Sequence, residues 1–240
     1  EFDALFVRAE DIPAFVADGA ADAGITGWDL VAESGRALDD LLDLGFGRCR
    51  LVVAARIPSG GAAPSLESIE DGARVATKFP LLADRYFQER GRKVTLVKVS
   101  GAAEVAPHLG IADVVVDLVS TGSTLRVNGL VELATVVESS ARLVSRPQSQ
   151  LDPDAARALG ELSLALESVV RARGHRYLMA NAPRAALDAV REVLPGLSGP
   201  TIVDVAGGAG DVVAVHAVVK KASVYRTIAR LKELGCEGIL

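Results

Sequence analysis

Residues 113–130 read DVVVDLVSTGSTLRVNGL. Val114, Val115 and Val116 are β-branched and apolar without a gap, the pattern of a strand buried on both faces. Asp117 stands where that strand should emerge. Ser120, Thr121, Gly122, Ser123 and Thr124 then crowd four hydroxyls and a glycine just ahead of a helix-compatible segment. Glycine allows a close backbone approach to a ligand, and a helix N-terminus offers unpaired N–H donors with a dipole that favours an anion. Serine and threonine hydroxyls add donors for phosphate oxygens. By itself the S-T-G-S-T string reads equally well as an anion loop or as a strand–turn–helix corner with an N-cap.

Strands and helices alternate outward from this stretch. Residues 2–7 are apolar enough for a strand, and Asp11 and Pro13 open a helix that runs to about residue 18. Residues 23–27 form a short strand and turn ahead of a helix that begins at Trp28. Residues 50–55 form a crossover strand, and 57–65, with two prolines and a Gly-Gly pair, a surface loop. A strand over 75–80 runs into a helix over 81–90, a strand follows at 94–99, and 100–104 start another helix. After the central stretch, 131–138 and 141–145 read as strands and 152–173 as the longest helix, with Asp152 as cap and Pro153 in its first turn. This alternation predicts a mostly parallel sheet with helices on both faces. From His175 onward a strand (176–181), helix (183–194), strand (199–203), strand (212–219) and helix (222–234, with Gly235 as C-cap) describe a small ferredoxin-like module.

The chain has 240 residues, enough for one large domain or two to three small ones, burying roughly 70–75 % of its unfolded surface. Half of them are hydrophobic but only 4 % aromatic, so the cores must be built from Ala, Val and Leu. A net charge of −5 argues against a nucleic-acid partner. Cys49 and Cys236 are far apart and fit reduced thiols better than a disulfide framework. No apolar run has the length of a membrane span and no signal peptide is visible, so the expected location is cytoplasmic with no membrane partner. The chain opens at Glu1 without an initiator methionine and stops at Leu240 in what reads as the start of a strand. This reads as a fragment of a longer chain with elements missing at both ends.

An apolar strand, an acidic exit and T-G-x-T-L resemble the 5-phosphoribosyl-1-pyrophosphate (PRPP) loop of phosphoribosyltransferases. The usual second acidic residue is replaced by Leu118, which argues against the purine and orotate enzymes. D-L-V-S-T-G-x-T-L followed by N-G-L is similar to the long form of ATP phosphoribosyltransferase. A-D-A-G-I-T-G-x-D-L at 21–30 and A-T-K-F-P at 76–80 resemble the same family. So do Y-L-M-x-N-A-P, P-G-L-x-x-P-T-I and L-x-x-L-G-C-x-x-I-L in the last 64 residues. The resemblance implies an α/β fold, a two-lobed periplasmic-binding-protein-like catalytic core followed by a small ferredoxin-like (ACT-like) α+β regulatory domain. Lobe I would comprise 1–47 and 141–172, lobe II with the PRPP loop 48–140, and the regulatory domain 173–240. The cleft between the lobes is the natural site.

The reaction so implied joins N1 of the adenine of ATP to C1 of PRPP and releases pyrophosphate, the committed step of histidine biosynthesis. Bond breaking at the ribose leads, so the site needs positioning and electrostatics rather than a nucleophile. The resemblance assigns Ser120, Thr121, Gly122, Ser123 and Thr124 to the 5-phosphate and Asp117 to the ribose or the oxocarbenium. Glu104 is the candidate second carboxylate, or else a first-turn helix carboxylate. Arg8, Asp29 and Leu30 match nucleotide-cleft positions, with a surface salt bridge and a helix cap as the plainer readings of Arg8 and Asp29. Lys78 reads more simply as a solvated strand-end lysine. Mg²⁺ would travel on the pyrophosphate, with no protein metal ligand assigned. His108, His175 and His216 show no catalytic spacing. Asn181, Leu197, Thr201 and Gly238 match positions for inhibitory histidine, although turn chemistry also explains Thr201 and Gly238. A homo-oligomer, dimer to hexamer, follows by family analogy. The family's N-K-G-R-L segment is absent. A second reading, a non-enzymatic two-lobed binding or sensor protein, shares the fold but has no need of D-x-x-x-T-G-x-T-L.

Overall fold

A computed structural model describes residues 2–57, 64–206 and 211–240 and divides into two compact units, Glu1–Leu164 and Ala165–Leu240. In chain order the elements are α1 (Ile12–Ala17), β1 (Ala23–Gly27), α2 (Trp28–Ser34), β2 (Asp39–Asp43), β3 (Cys49–Arg56), β4 (Arg74–Thr77), α3 (Pro80–Gln88) and β5 (Thr95–Lys98). They continue with β6 (Val114–Val119), α4 (Ser123–Val127), β7 (Leu130–Ser139), β8 (Ala141–Ser145) and α5 (Pro153–Arg173). The second unit adds β9 (His175–Pro183), α6 (Leu187–Val193), β10 (Thr201–Asp204), β11 (Val212–Lys220) and α7 (Val224–Glu233). Most of the loop expected at 57–65 lies outside the described residues. Among the described residues no helix is long and apolar enough to cross a membrane.

The first unit holds two sheets. One is antiparallel with order β1-β8-β2, and the other has five strands in the order β5-β4-β6-β3-β7. The two lobes thus draw on residues 23–43 with 141–145, and on 49–139. They are joined by the short connections before β3 and after β7. The apolar run of β6 is buried on both faces. Val114 and Val116 join Leu51, Val53, Val75, Phe79 and Phe87 on one side. Val115 and Val119 join Val52, Ala54, Leu125 and Leu130 on the other. Each such Val, Leu or Phe side chain contributes about 1.5–3 kcal/mol by leaving water.

The sheet is mixed, not mostly parallel. β4 runs parallel to β5 and β6, but β3 is antiparallel to both β6 and β7. The reason is connectivity: β3 starts at the inter-lobe boundary where β4 and β6 end, so it must run against them, and β7 brings the chain back. Residues 2–7 form no strand, because no neighbouring strand offers them hydrogen bonds; Leu5 and Phe6 are 78 % and 95 % exposed. The helix expected from 100–104 shrinks to a 3₁₀ turn at Ala103–Val105. Ala102 precedes it in the left-handed region (φ 51°) and Pro107 follows, so a longer helix does not propagate. β6 also runs two residues past Asp117, which pairs with Val52 inside the ladder rather than at its exit.

In the second unit β9 and β11 alternate strictly, sending Leu178, Ala180, Ala182, Val213, Val215 and Ala217 onto Val190, Leu194 and Leu231 of the helical layer. The strand order is β10-β11-β9. Residues 237–240 bond to the free edge of β9: the N–H groups of Glu237 and Leu240 donate to the carbonyls of Asn181 and Met179 at 2.8 and 2.9 Å. Strand–helix–strand–strand–helix with this fourth row is the ferredoxin-like arrangement.

Candidate functional site

The central loop is held by its own chemistry. Gly122 takes φ 73°, a left-handed conformation that turns the chain from β6 into α4. The Thr121 and Ser123 hydroxyls lie 3.0 Å apart, and the Leu118 N–H donates to Asp117 Oδ1 at 2.8 Å. Asn128 closes the far end, its amide donating to the Thr124 carbonyl at 3.0 Å. Ser120, Thr121, Gly122, Ser123 and Thr124 line a depression of about 160 Å³ together with Asp117, Leu118 and Glu104. The loop and both carboxylates are therefore brought to one place. Burial pushes the Asp117 carboxyl above the usual range, and the Glu104 charge adds to the push; the Leu118 N–H and Lys78 oppose it.

The lobe I residues Arg8, Asp29 and Leu30 do not line this depression, and they differ in character. Arg8 stands on an exposed turn before α1, whose carbonyl at Ala9 accepts from the buried Thr26 hydroxyl at 2.8 Å. Asp29 is turned inward, 5 % exposed. Its Oδ1 accepts from the Ser139 hydroxyl at 2.6 Å. Leu30 packs on the core of the five-stranded sheet. Lys78 extends from the end of β4 to Glu10 of lobe I, Nζ to Oε2 2.8 Å. Glu33 of α2 reaches the other way, its two oxygens accepting from the Leu81 and Leu82 N–H groups at 2.9 Å each.

A second depression of about 300 Å³ adjoins the first and shares Val119 and Ser120 with it. Asp43, Arg48, Cys49, Ser139, Ser140 and Arg142 line it with Arg50 and Glu138. Reading of the sequence missed Arg48, Ser139, Ser140 and Arg142; their one local signal is their position beside the connections between the lobes. The Cys49 thiol is pushed up by burial and by the Asp29 charge, so it stays protonated and is a poor nucleophile. Arg142 is tied to Asp40 at 2.7 Å and Arg50 to Glu132. Among the described residues no group of three or more His, Cys, Asp or Glu is placed to hold a metal ion. Each histidine has a nearby partner: His108 Nε2 the Asn128 carbonyl, His175 Nδ1 the Arg171 carbonyl, and His216 Nδ1 the Tyr177 hydroxyl.

In the second unit Asn181 and Gly238 are neighbours. A Cβ on Gly238 would lie 3.3 Å from Asn181 Nδ2, and Gly238 itself needs φ 58°. Thr201 lies on β10, at the opposite edge of the sheet, and Leu197 precedes it on the turn, 79 % exposed. One chain thus brings Asn181 and Gly238 together and leaves Leu197 and Thr201 away from them, not in one cluster.

Residues 8–168 match the family HisG: ATP phosphoribosyltransferase, and residues 172–240 match HisG, C-terminal domain. An ATP phosphoribosyltransferase of Gemmatimonas aurantiaca is 61 % identical over 248 residues, covering all of this chain and 83 % of that protein. One from Natronomonas pharaonis is 49 % identical over 240 residues, covering 100 % and 82 %. Among solved structures, the ATP phosphoribosyl transferase (HisG:HisZ) complex of Thermotoga maritima contains a similar chain: 30 % identity, TM-score 0.59, covering 69 % of this chain and 78 % of that one. Tv2483 bound to L-arginine shares the fold alone, at 12 % identity and TM-score 0.50, over 69 % and 66 % of the two chains.

Proposed function

The chain belongs to the ATP phosphoribosyltransferase family, the transferases that join ATP to PRPP in histidine biosynthesis, and on that premise we propose how its residues divide the work. The observation that carries the proposal is the shared depression of the hydroxyl-rich loop, Asp117 and Glu104. Ser120, Thr121, Gly122, Ser123 and Thr124 hold the 5-phosphate, where several N–H and O–H donors acting together fix the register of the ribose. Asp117, backed by Glu104, faces C1 and the ribose hydroxyls. Two carboxylates crowded in a partly dry cleft repel one another, and positive charge developing at C1 relieves that repulsion. The favourable interaction is therefore stronger in the transition state than in the ground state. Arg8, Asp29 and Leu30 form the lobe I side, Arg8 by charge and the other two by seating α2 against lobe II.

Magnesium takes few protein carboxylates and completes its shell with substrate phosphates and water. The depression offers carboxylate and hydroxyl oxygens beside the loop, which fits an ion that arrives on the pyrophosphate rather than one held by resident protein ligands. When bound with the pyrophosphate, it neutralises charge on the leaving group. The second unit serves as the histidine sensor, through Asn181, Leu197, Thr201 and Gly238. Because Asn181 with Gly238 and Thr201 lie at opposite sheet edges, this reading goes with a homo-oligomer in which two copies complete a site. The expected location is the cytoplasm.

The test is formation of phosphoribosyl-ATP from ATP and PRPP with Mg²⁺, with and without histidine, beside Asp117→Ala. Turnover that histidine suppresses and that the variant loses supports every part. Turnover that histidine leaves untouched removes the sensor assignment and keeps the catalytic one. Full activity in the variant removes Asp117 from its role.

A further inference from the structure

The Glu10–Lys78 ion pair joins lobe I to lobe II. Glu10 stands on lobe I, one residue past Ala9, whose carbonyl is held by the Thr26 hydroxyl at the end of β1. Lys78 stands on lobe II, one residue past β4, where the buried Thr77 hydroxyl accepts from the Phe79 N–H at 2.8 Å. Each partner thus sits on a turn pinned by a buried threonine, 4 % and 0 % exposed. The two long side chains remain nearly half exposed. Thr77 pairs with Val116, so Lys78 lies beside Asp117, on which its charge acts. The lysine therefore stands between a lobe I carboxylate and the carboxylate of the reaction depression. An exposed pair of this kind is weak and readily exchanged. A diphosphate carries more charge and more acceptor oxygens than one carboxylate, so it outcompetes Glu10 for the same ammonium.

We propose that Glu10 is an internal stand-in anion: it keeps Lys78 aimed across the cleft until the diphosphate of PRPP, or the released pyrophosphate, takes its place. This rests on the transferase reading above and adds to it a positioning residue and an order of events. Entry of the diphosphate breaks an inter-lobe tie, and departure of pyrophosphate restores it. Glu10 therefore competes with substrate, and removing it tightens diphosphate binding. A purely structural ion pair has the opposite sign or none.

The experiment measures binding of inorganic pyrophosphate by calorimetry at fixed ionic strength, for the unaltered protein, Glu10→Gln, Lys78→Gln and the double variant. KM for PRPP is measured in parallel. Glu10→Gln is expected to tighten pyrophosphate and lower the KM for PRPP by about 1.5- to five-fold, the span an exposed ion pair can contribute. Lys78→Gln is expected to weaken both, and Glu10→Gln to add nothing on top of it. Unchanged or weaker pyrophosphate binding in a folded Glu10→Gln protein overturns the proposal, and that variant decides the matter even if Lys78→Gln fails to fold. Because calorimetry reads binding without turnover, an inactive but pyrophosphate-binding protein counts against the transferase assignments and not against the competition.

Discussion

The Ser139 hydroxyl donates to Asp29 Oδ1 at 2.6 Å and accepts from the Asp29 main-chain N–H at 3.0 Å. The last residue of β7 in lobe II thereby closes a two-bond ring with the first turn of α2 in lobe I. Both residues are 5 % exposed, so water is a poor substitute for either partner.

Ser139→Ala should accordingly leave a buried carboxylate without its hydroxyl donor, at a cost of about 1–3 kcal/mol. Urea denaturation would show it as a lower midpoint at unchanged slope.

Asp117 behaves differently, since burial and Glu104 hold its carboxyl above the usual range. With the folded-state value raised, the native chain binds the proton more tightly than the unfolded one. Stability contributed here falls as pH climbs from the unfolded value through the folded one. Asp117→Asn removes that penalty. The melting temperature of the variant minus that of the parent should be near zero at acid pH, grow as pH rises, and level off once pH has passed the folded-state value. Turnover should fall about 100-fold or more at the same time. A difference that shrinks with rising pH would contradict the assignment.

At Gly122 the space is open, because an added Cβ would make only ordinary contacts with Arg126 and Val119 at 3.7 and 3.8 Å. The left-handed backbone is what excludes other residues. Gly122→Ala should cost about 1–2 kcal/mol and raise the KM for PRPP more than that for ATP. Equal effects on both substrates would separate the loop from the phosphate.

Glu33 caps α3 from across the lobe boundary. Glu33→Ala should destabilise by about 1 kcal/mol, as loss of an N-terminal cap does, while Glu33→Gln keeps one acceptor and loses less. Thermal melts of the two variants side by side would rank them.

Several elements were legible because one local pattern determines them. Three consecutive valines announced β6, and Asp152 and Pro153 announced α5, with Asp152 Oδ1 accepting from the N–H groups of Asp154 and Ala155. β2 went unread: DDLLD contains no β-branched residue and becomes a strand only by pairing with β8. The reversed direction of β3 depends on where the chain must next go, which no window of sequence contains. In the site, the loop and Asp117 were visible as a contiguous motif, and Glu104 was a candidate for the second carboxylate. Ser139 and Glu33 were not visible. They act on partners 110 and 48 or 49 residues away, and neither residue type announces such a role.

The insertion of one lobe into the other also dictates an order of birth. β8 is the middle strand of the β1-β8-β2 sheet, yet the whole of lobe II is encoded before it. A ribosome reading from the N-terminus therefore delivers every strand of the five-stranded sheet before the first lobe has its centre. Until then β1 and β2 are bare edges, the kind of surface that pairs with the wrong neighbour. A nascent chain halted short of residue 141 would carry a second lobe with all its strands and a first lobe without its central strand. The chain's exposure to misassembly is concentrated in that interval of synthesis.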